Sequence, residues 1–509
     1  MIIIIDFGSQ TTHLIARRLL EFGVKIKILH PEDSFKKINA IRPSGIILSG
    51  GPSSVYEKNA QTVDRKIFNL KIPVLGICYG LQLSSHLLGG KVISGKKEYG
   101  PAKLNINNLK TKITKGLSKF STVWMSHGDE VVKLPKGFKI FGSTENVPFA
   151  LIGNIKKNIF GLQFHPEVEH TQFGEQILRN FVEVCKATIS KKSFDTSKIE
   201  ENIKQIVGEE DYVIGAVSGG VDSTVAAALA AKAIGKRFVP IYVDNGLMRD
   251  GTGEHVKKIF KQIGIKPIVI NAVGEMLKRL KRITNSEQKR KIIGNFYIKI
   301  FEKEMKKLLR RNLPVKYLLQ GTIYSDVIES QGTKHSSKIK SHHNVGGLPK
   351  KMKLKLLEPV RDYYKDEVKI IGKKLGLPDE FINKQPFPGP GYAVRIRGEV
   401  TKRRLKMEKI ADEIIQSELK KAGIYSQVFL SFPVMTNAFS TAVKGDGRQF
   451  GEVIAIRVVD SKDIMTSNWT RLPYEIMQKI SSRIVNEIPG VSRVVYDITT
   501  KPPATMEWE

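Results

Sequence analysis

Short apolar runs recur along most of the chain, each of strand length and each closed by a polar turn. Ile2–Ile5, Gly45–Leu48 and Pro73–Ile77 all end in loops rich in Gly, Ser or Asp. Apolar runs without alternation predict strands buried on both faces. Glu175–Lys186, with Ile177, Phe181 and Val184 on one face, predicts a helix closing this first unit. The polar, aperiodic stretch Ser190–Ser197 predicts a linker. A second unit begins near Lys198, where the runs Tyr212–Val217 and Phe238–Val243 flank an alanine-rich helical segment in a parallel crossover. Gln385–Gly391 holds too much proline for a helix or a central strand and predicts a boundary loop. Beyond it, helical patterns at Lys402–Gly423 and Tyr474–Asn486 accompany strand patterns at Val453–Val459 and Val491–Ile498. The expectation is two doubly wound α/β domains, 1–190 and 191–384, and a smaller α+β domain, 385–509.

Composition narrows the class. A chain of 509 residues with 41% hydrophobic and 26% charged positions is that of a multidomain globular protein. No apolar run approaches the ~18 residues of a membrane span, so no membrane partner is expected. The opening run Met1–Asp6 lacks the basic start and the apolar length of a secretory leader. Two cysteines, Cys78 and Cys185, exclude a disulfide framework and suggest the reducing cytoplasm. The net charge of +33 invites a nucleic-acid reading. The lysines are scattered and few aromatics interleave with them, which favours a solvated basic surface and no dedicated nucleic-acid partner.

Ser218-Gly219-Gly220-Val221-Asp222-Ser223, followed by Thr224, lies between the strand pattern and the alanine-rich helix. Glycines let the backbone close on an anion, and the free amides of the helix start point at it. Ser218, Ser223 and Thr224 add hydroxyl donors. No Walker lysine is present, which argues against transfer of a terminal phosphoryl group. Asp222 is the candidate Mg²⁺ ligand. Asp244, at the end of the next strand, suits adenosine contacts at the carboxyl edge of the sheet.

A second constellation lies earlier. Cys78, in Leu75-Gly76-Ile77-Cys78-Tyr79-Gly80, falls between a strand and a helical pattern, with glycines two residues away on each side. Small neighbours permit a strained turn, and a helix start favours thiolate. Phe164-His165-Pro166-Glu167 supplies a base, His165, and a carboxylate, Glu167, to orient it. Gly50 and Gly51 offer backbone donors to an oxyanion. Cys185, on the apolar face of its helix, reads as a core residue. Gly90–Lys97 nearly spells a Walker loop but lacks its final Ser or Thr, and reads as a basic turn. His165 and His170 are spaced wrongly for one helical face and do not read as a metal pair.

These motifs carry resemblances. The 218–223 loop resembles that of the ATP pyrophosphatase (PP-loop) enzymes, which adenylate an oxygen and release pyrophosphate. Cys78, His165 to Glu167, and the intervening Met125-Ser126-His127-Gly128-Asp129 resemble the class I glutamine amidotransferases over residues 1–187. That likeness implies release of ammonia from glutamine through a thioester on Cys78, with Gln82 helping to hold the substrate. Gly321–Ser330, Lys340–Leu348, Pro386–Gly391 and the tail Tyr496–Glu509 are similar to the GMP synthetase family, so the likeness spans nearly the whole chain. It implies XMP, ATP, glutamine and Mg²⁺ as reactants, an adenylyl-XMP intermediate, and a homodimer formed by the third domain. It also implies an XMP site at Arg290, Arg493, Lys501, Met506 and Glu507, and a lid over ATP carrying Asp326, Glu329 and Lys340 with hinge glycines Gly346 and Gly347. Ser325 and Met506 stand where the family pattern has proline and isoleucine, and Phe429–Val443 matches poorly. The plainer reading of Arg290 and Arg493 is as surface cations, and of Asp326 and Glu329 as the acidic first turn of a helix. Three alternatives stand beside this one. A PP-loop enzyme acting on tRNA could be of thiolating or lysidine-forming type; thiolation would need a cysteine within 191–384, where there is none. An NAD synthetase should lack the Lys501–Glu507 tail. An RNA-binding module would show salt-dependent affinity and no AMP release.

Overall fold

The computed structural model describes residues 1–9, 11–107, 109–190, 194–324, 326, 354–444, 447–461, 467–501 and 503–508. The chain forms two compact units that divide between Ser193 and Phe194. The first holds a nine-stranded mixed sheet of β1 (Ile2–Ile5), β2 (Ile26–Leu29), β3 (Gly45–Leu48), β4 (Val74–Ile77), β5 (Lys91–Ile106), β6 (Phe120–Lys133), β7 (Lys139–Ser143), β8 (Leu151–Asn154) and β9 (Ile159–Leu162), in the order β2-β1-β3-β4-β9-β8-β7-β5-β6. From β2 to β9 neighbours run parallel; beyond β9 they run antiparallel. The unbroken isoleucine run of β1 serves two cores, because side chains alternate across a sheet. Ile2 and Ile4 pack with helices Thr12–Glu21 and Gly174–Val184, and Ile3 and Ile5 with Ile38, Ile67 and Leu83 on the other face. Cys185 is buried where an added Cβ on Gly45 would collide with its sulfur, and burial pushes its thiol pKa up. The segment read as a basic turn, Gly90–Lys97, instead begins the 16-residue strand β5. Pairing with β6 supplies the ladder that its weak local pattern does not announce.

The second unit holds two sheets. β10 (Tyr212–Ala216), β11 (Phe238–Asp244), β12 (Ile268–Asn271), β13 (Val315–Leu319) and β14 (Lys355–Leu357) form a parallel sheet in the order β12-β11-β10-β13-β14. Strand order reverses at β10, so the loop that follows it opens at the topological switch point, where ligands of such sheets bind. The predicted linker is partly helical: Asp195 accepts from the amide of Ser197 and caps helix Thr196–Val207.

A smaller sheet follows, in which β15 (Leu430–Lys444) and β16 (Gly447–Asp460) form a long antiparallel hairpin. β17 (Asn468–Trp469) and the parallel β18 (Val491–Tyr496) also pair with β16. Helices Lys402–Lys421 and Tyr474–Glu487 cover it. One core runs from Ile214, Ile241 and Phe296 to Ile396, Leu405 and Ile454, so the proline-rich loop at 385–391 lies inside this unit. The poorly matching segment is itself strand β15.

Candidate active site

β4 ends at Ile77 and helix Tyr79–Leu87 starts one residue later, leaving Cys78 alone to make the turn. Its φ of 49° and ψ of −109° lie where side chains are strained. The flanking glycines make the turn possible. A Cβ on Gly76 would come within 2.5 Å of the Gly80 backbone, and one on Gly80 within 2.3 Å of the Leu48 carbonyl oxygen. The thiol is buried and lies 3.3 Å from the carbonyl oxygens of both Ser126 and Gln163.

His165 lies 87 residues away in sequence, yet β4 and β9 are parallel neighbours with Ile77 opposite Leu162, so both loops leave the same sheet edge. The His165 imidazole stands next to Cys78, close enough for the two to shift each other's charge, and its Nδ1 lies 2.7 Å from Glu167 Oε1. A carboxylate only accepts, so Nδ1 donates and Nε2 remains for the thiol. Burial opposes charge on this ring, but Glu167 and Cys78 outweigh it and hold the His165 pKa well above its ordinary value. The arrangement favours an imidazolium at His165.

β3 flanks β4 on the other side, which brings Gly50 to the same edge. A Cβ there would sit 3.3 Å from His165 Cε1, and one on Gly51 would press on the Phe7 carbonyl at 2.8 Å. Gln82, one turn into the helix, donates to the Asp129 carbonyl oxygen at 2.8 Å and lies 3.4 Å from Gln163 Oε1. Asp129 Oδ2 is buried without a partner beside this cluster. In the sequence Asp129 is visible only as the last residue of the Met125–Asp129 motif, and Gln163 carries no signal. His170 packs against Trp124 in a tilted arrangement, with ring centres 4.7 Å apart.

In the second unit, Gly219 takes φ +80° and Gly220 opens helix Val221–Ile234 with no side-chain cap, so the orphan amides of the first turn face the loop. The loop is held from within: Ser218 Oγ accepts from the Gly220 amide at 3.3 Å and lies 3.0 Å from Ser223 Oγ. Asp222 Oδ1 and Thr224 Oγ1 are buried without partners. Burial pushes the Asp222 carboxyl up, with Asp326 acting in the same direction against Lys365 and Lys369. These lysines, one helical turn apart on Lys365–Lys374, were missed; only the fold carries them to the loop. Burial, then Lys365, lowers the pKa of Lys369. Gly321 abuts the helix start, where a Cβ would come within 2.6 Å of the Ser223 amide nitrogen. Asp244 stands at the carboxyl end of β11, with Oδ1 accepting from the Gly246 amide. Among the described residues no three His, Cys, Asp or Glu side chains gather as a metal cage. Asp326 accepts from the Ile323 amide through Oδ2. Glu329, Lys340, Gly346 and Gly347 lie outside the described residues.

The predicted XMP residues have mixed settings. Arg290 is half-buried beside Lys289, which is fully buried and donates to the carbonyls of Ala393 and Ile396. Arg493 is exposed on β18, Lys501 bridges to Ser467, and Met506 packs on the core of Leu430 and Phe432. Glu507 is already engaged: fully buried Arg395 grips both its oxygens, at 3.0 and 2.9 Å. Arg457, equally buried, donates to Asp497 and to the carbonyls of Thr499, Thr505 and Met506, closing the tail into a loop. Neither arginine was singled out from sequence.

A buried cysteine elbow on one α/β unit and a lysine-free phosphate loop at the switch point of another define a class, the glutamine amidotransferase joined to an ATP-pyrophosphatase-type synthetase. Residues 3–185 match the family described as glutamine amidotransferase class-I, 195–322 NAD synthase, and 417–508 the GMP synthase C terminal domain. The GMP synthase (glutamine-hydrolyzing) of Aquifex aeolicus is 50% identical over 100% of this chain and 99% of its own. Those of Campylobacter jejuni and Caldanaerobacter subterraneus are also 50% identical, with the same coverage. The chain belongs to the glutamine-hydrolysing GMP synthase family.

Proposed function

We propose that this enzyme converts XMP to GMP, using ATP to activate the purine and glutamine as the nitrogen source. The observation that carries the first half is the contact of Cys78, His165 and Glu167 across adjacent strands. The Cys78 sulfur attacks the glutamine carboxamide, ammonia leaves with a proton from His165, and water then cleaves the thioester to glutamate. Gly50 and Gly51 face the oxyanion, Gln82 lines the glutamine pocket, and the Asp129 carboxylate suits the substrate's ammonium group.

In the second unit the 218–224 loop holds the ATP phosphates and Asp244 the adenosine side. The xanthine C2 oxygen attacks the α-phosphorus and pyrophosphate departs. Ammonia then adds at C2 of adenylyl-XMP and AMP leaves. Lys365 and Lys369 supply positive charge beside the loop. Arg290, Arg493, Lys501, Met506 and Glu507 form the XMP side, and Asp326, Glu329 and Lys340 the lid. The unpartnered Asp222 Oδ1 would hold a Mg²⁺, which would supply positive charge to the departing pyrophosphate. No described helix is long and apolar enough to cross a membrane, and both cysteines are free and buried, which suits the cytoplasm. The test supplies ATP and ammonium with XMP, without XMP, or with a tRNA pool. AMP and a 2-amino purine nucleotide should appear together, and only with XMP. AMP release driven by tRNA instead would end this reading.

The hairpin of β15 and β16 supports a homodimer. Phe439, Val443 and Phe450 are 52, 74 and 73% exposed, and the two phenyl rings stack 5.6 Å apart. An apolar ridge of this kind suits burial against a second copy. Phe450→Glu should shift the sedimentation-equilibrium mass toward the monomer; an unchanged dimer mass would remove the hairpin from the interface.

A further inference from the structure

Two polar side chains beside the glutamine pocket have no part in the chemistry above. His127 lies on β6 opposite Glu98 on β5, and its side chain is 2% exposed. The two strands are out of step here: the span from Ser94 to Glu98 faces the shorter span from Asp129 to His127. A disturbed ladder leaves the backbone between Ser126 and Asp129 without regular support. That backbone matters, because the Ser126 carbonyl touches the Cys78 sulfur and the Asp129 carbonyl receives Gln82.

His127 supplies the missing support. Its Nδ1 lies 3.1 Å from the Asp129 carbonyl oxygen, which only accepts, so Nδ1 carries the hydrogen. Its Nε2 faces Glu98 Oε2 at 3.5 Å, and both atoms are buried without a conventional hydrogen-bond partner. Burial pushes the His127 pKa down and the Glu98 carboxylate pushes it up, and the approach of Nε2 to Glu98 ties the ring to β5. Asn146 Nδ2 in turn holds Glu98 Oε1 at 3.2 Å.

We propose that the Glu98–His127 pair is a positioning device for glutamine, holding the Ser126–Asp129 segment so that Gln82 and the Asp129 carboxylate meet the substrate. The proposal rests on the glutaminase reading of Cys78. His127→Leu should raise the KM for glutamine about tenfold, the scale of one lost buried hydrogen bond, with ammonium-driven synthesis unchanged. His127→Asn, whose amide can still reach the Asp129 carbonyl, and Glu98→Gln, whose amide can donate to Nε2, should each stay within about threefold of the parent. An unchanged glutamine KM in His127→Leu overturns the proposal. So does an equal fall in rate with both nitrogen sources at constant KM, the signature of a general loss of folded protein. Cys78→Ala is measured alongside. Glutamine consumption by that variant would overturn the glutaminase reading and this proposal with it, whereas the first two outcomes overturn the proposal alone.

Discussion

Cys78→Ala should abolish GMP formation from glutamine, by at least ~10⁴-fold, and leave formation from ammonium within about twofold of the parent. The size follows from the role: no other thiol lies at the elbow, since the other cysteine, Cys185, is buried in the core. The substitution should not disturb the fold. Alanine is smaller than cysteine, so the strained backbone gains no new clash, and the buried sulfur makes only weak contacts with the Ser126 and Gln163 carbonyls. His165 reports the same event. Its pKa is raised partly by Cys78, so in Cys78→Ala the imidazole should titrate lower, as followed by NMR of the ring protons, while Glu167 still holds it up. If synthesis from ammonium fell together with that from glutamine, Cys78 would be a structural residue and the division of labour would be wrong.

Asp222→Asn should remove synthesis from both nitrogen sources, by ~10³-fold, because activation of XMP precedes any use of ammonia. The change is isosteric and removes only charge. Its effect on stability should have the opposite sign. A carboxyl whose folded pKa is raised above its unfolded value destabilises the fold once pH rises through the folded pKa, and burial raises that of Asp222. At neutral pH the amide relieves this penalty, so the melting temperature should hold or rise while activity disappears. That divergence marks a group retained for binding at the expense of stability. Full ammonium-driven activity in Asp222→Asn would remove Asp222, and the Mg²⁺ assigned to it, from the reaction.

What was legible in the sequence was local. The elbow at Cys78, the His165–Glu167 pair and the 218–224 loop each place their chemistry within a few residues, where backbone geometry demands glycine and small side chains at fixed offsets. The strands Ile2–Ile5 and Gly45–Leu48 have the predicted bounds, since a short apolar run has few other fates. Strand β5 was misread from the lysines and glycines near its start, because its partner β6 supplies what its own pattern lacks.

By itself the sequence determined the chemical groups and the turns that display them, because those depend on neighbours a few bonds away. The tertiary structure alone decided which groups meet. It set β4 beside β9, so that Cys78 reaches His165. It brought Lys365 and Lys369 near Asp222, and it ran Arg395 and Arg457 beneath a tail whose Glu507 was read from sequence as part of the XMP site. Strand order and helix docking are settled by the burial of whole faces, a sum over distant residues that no short window of sequence contains.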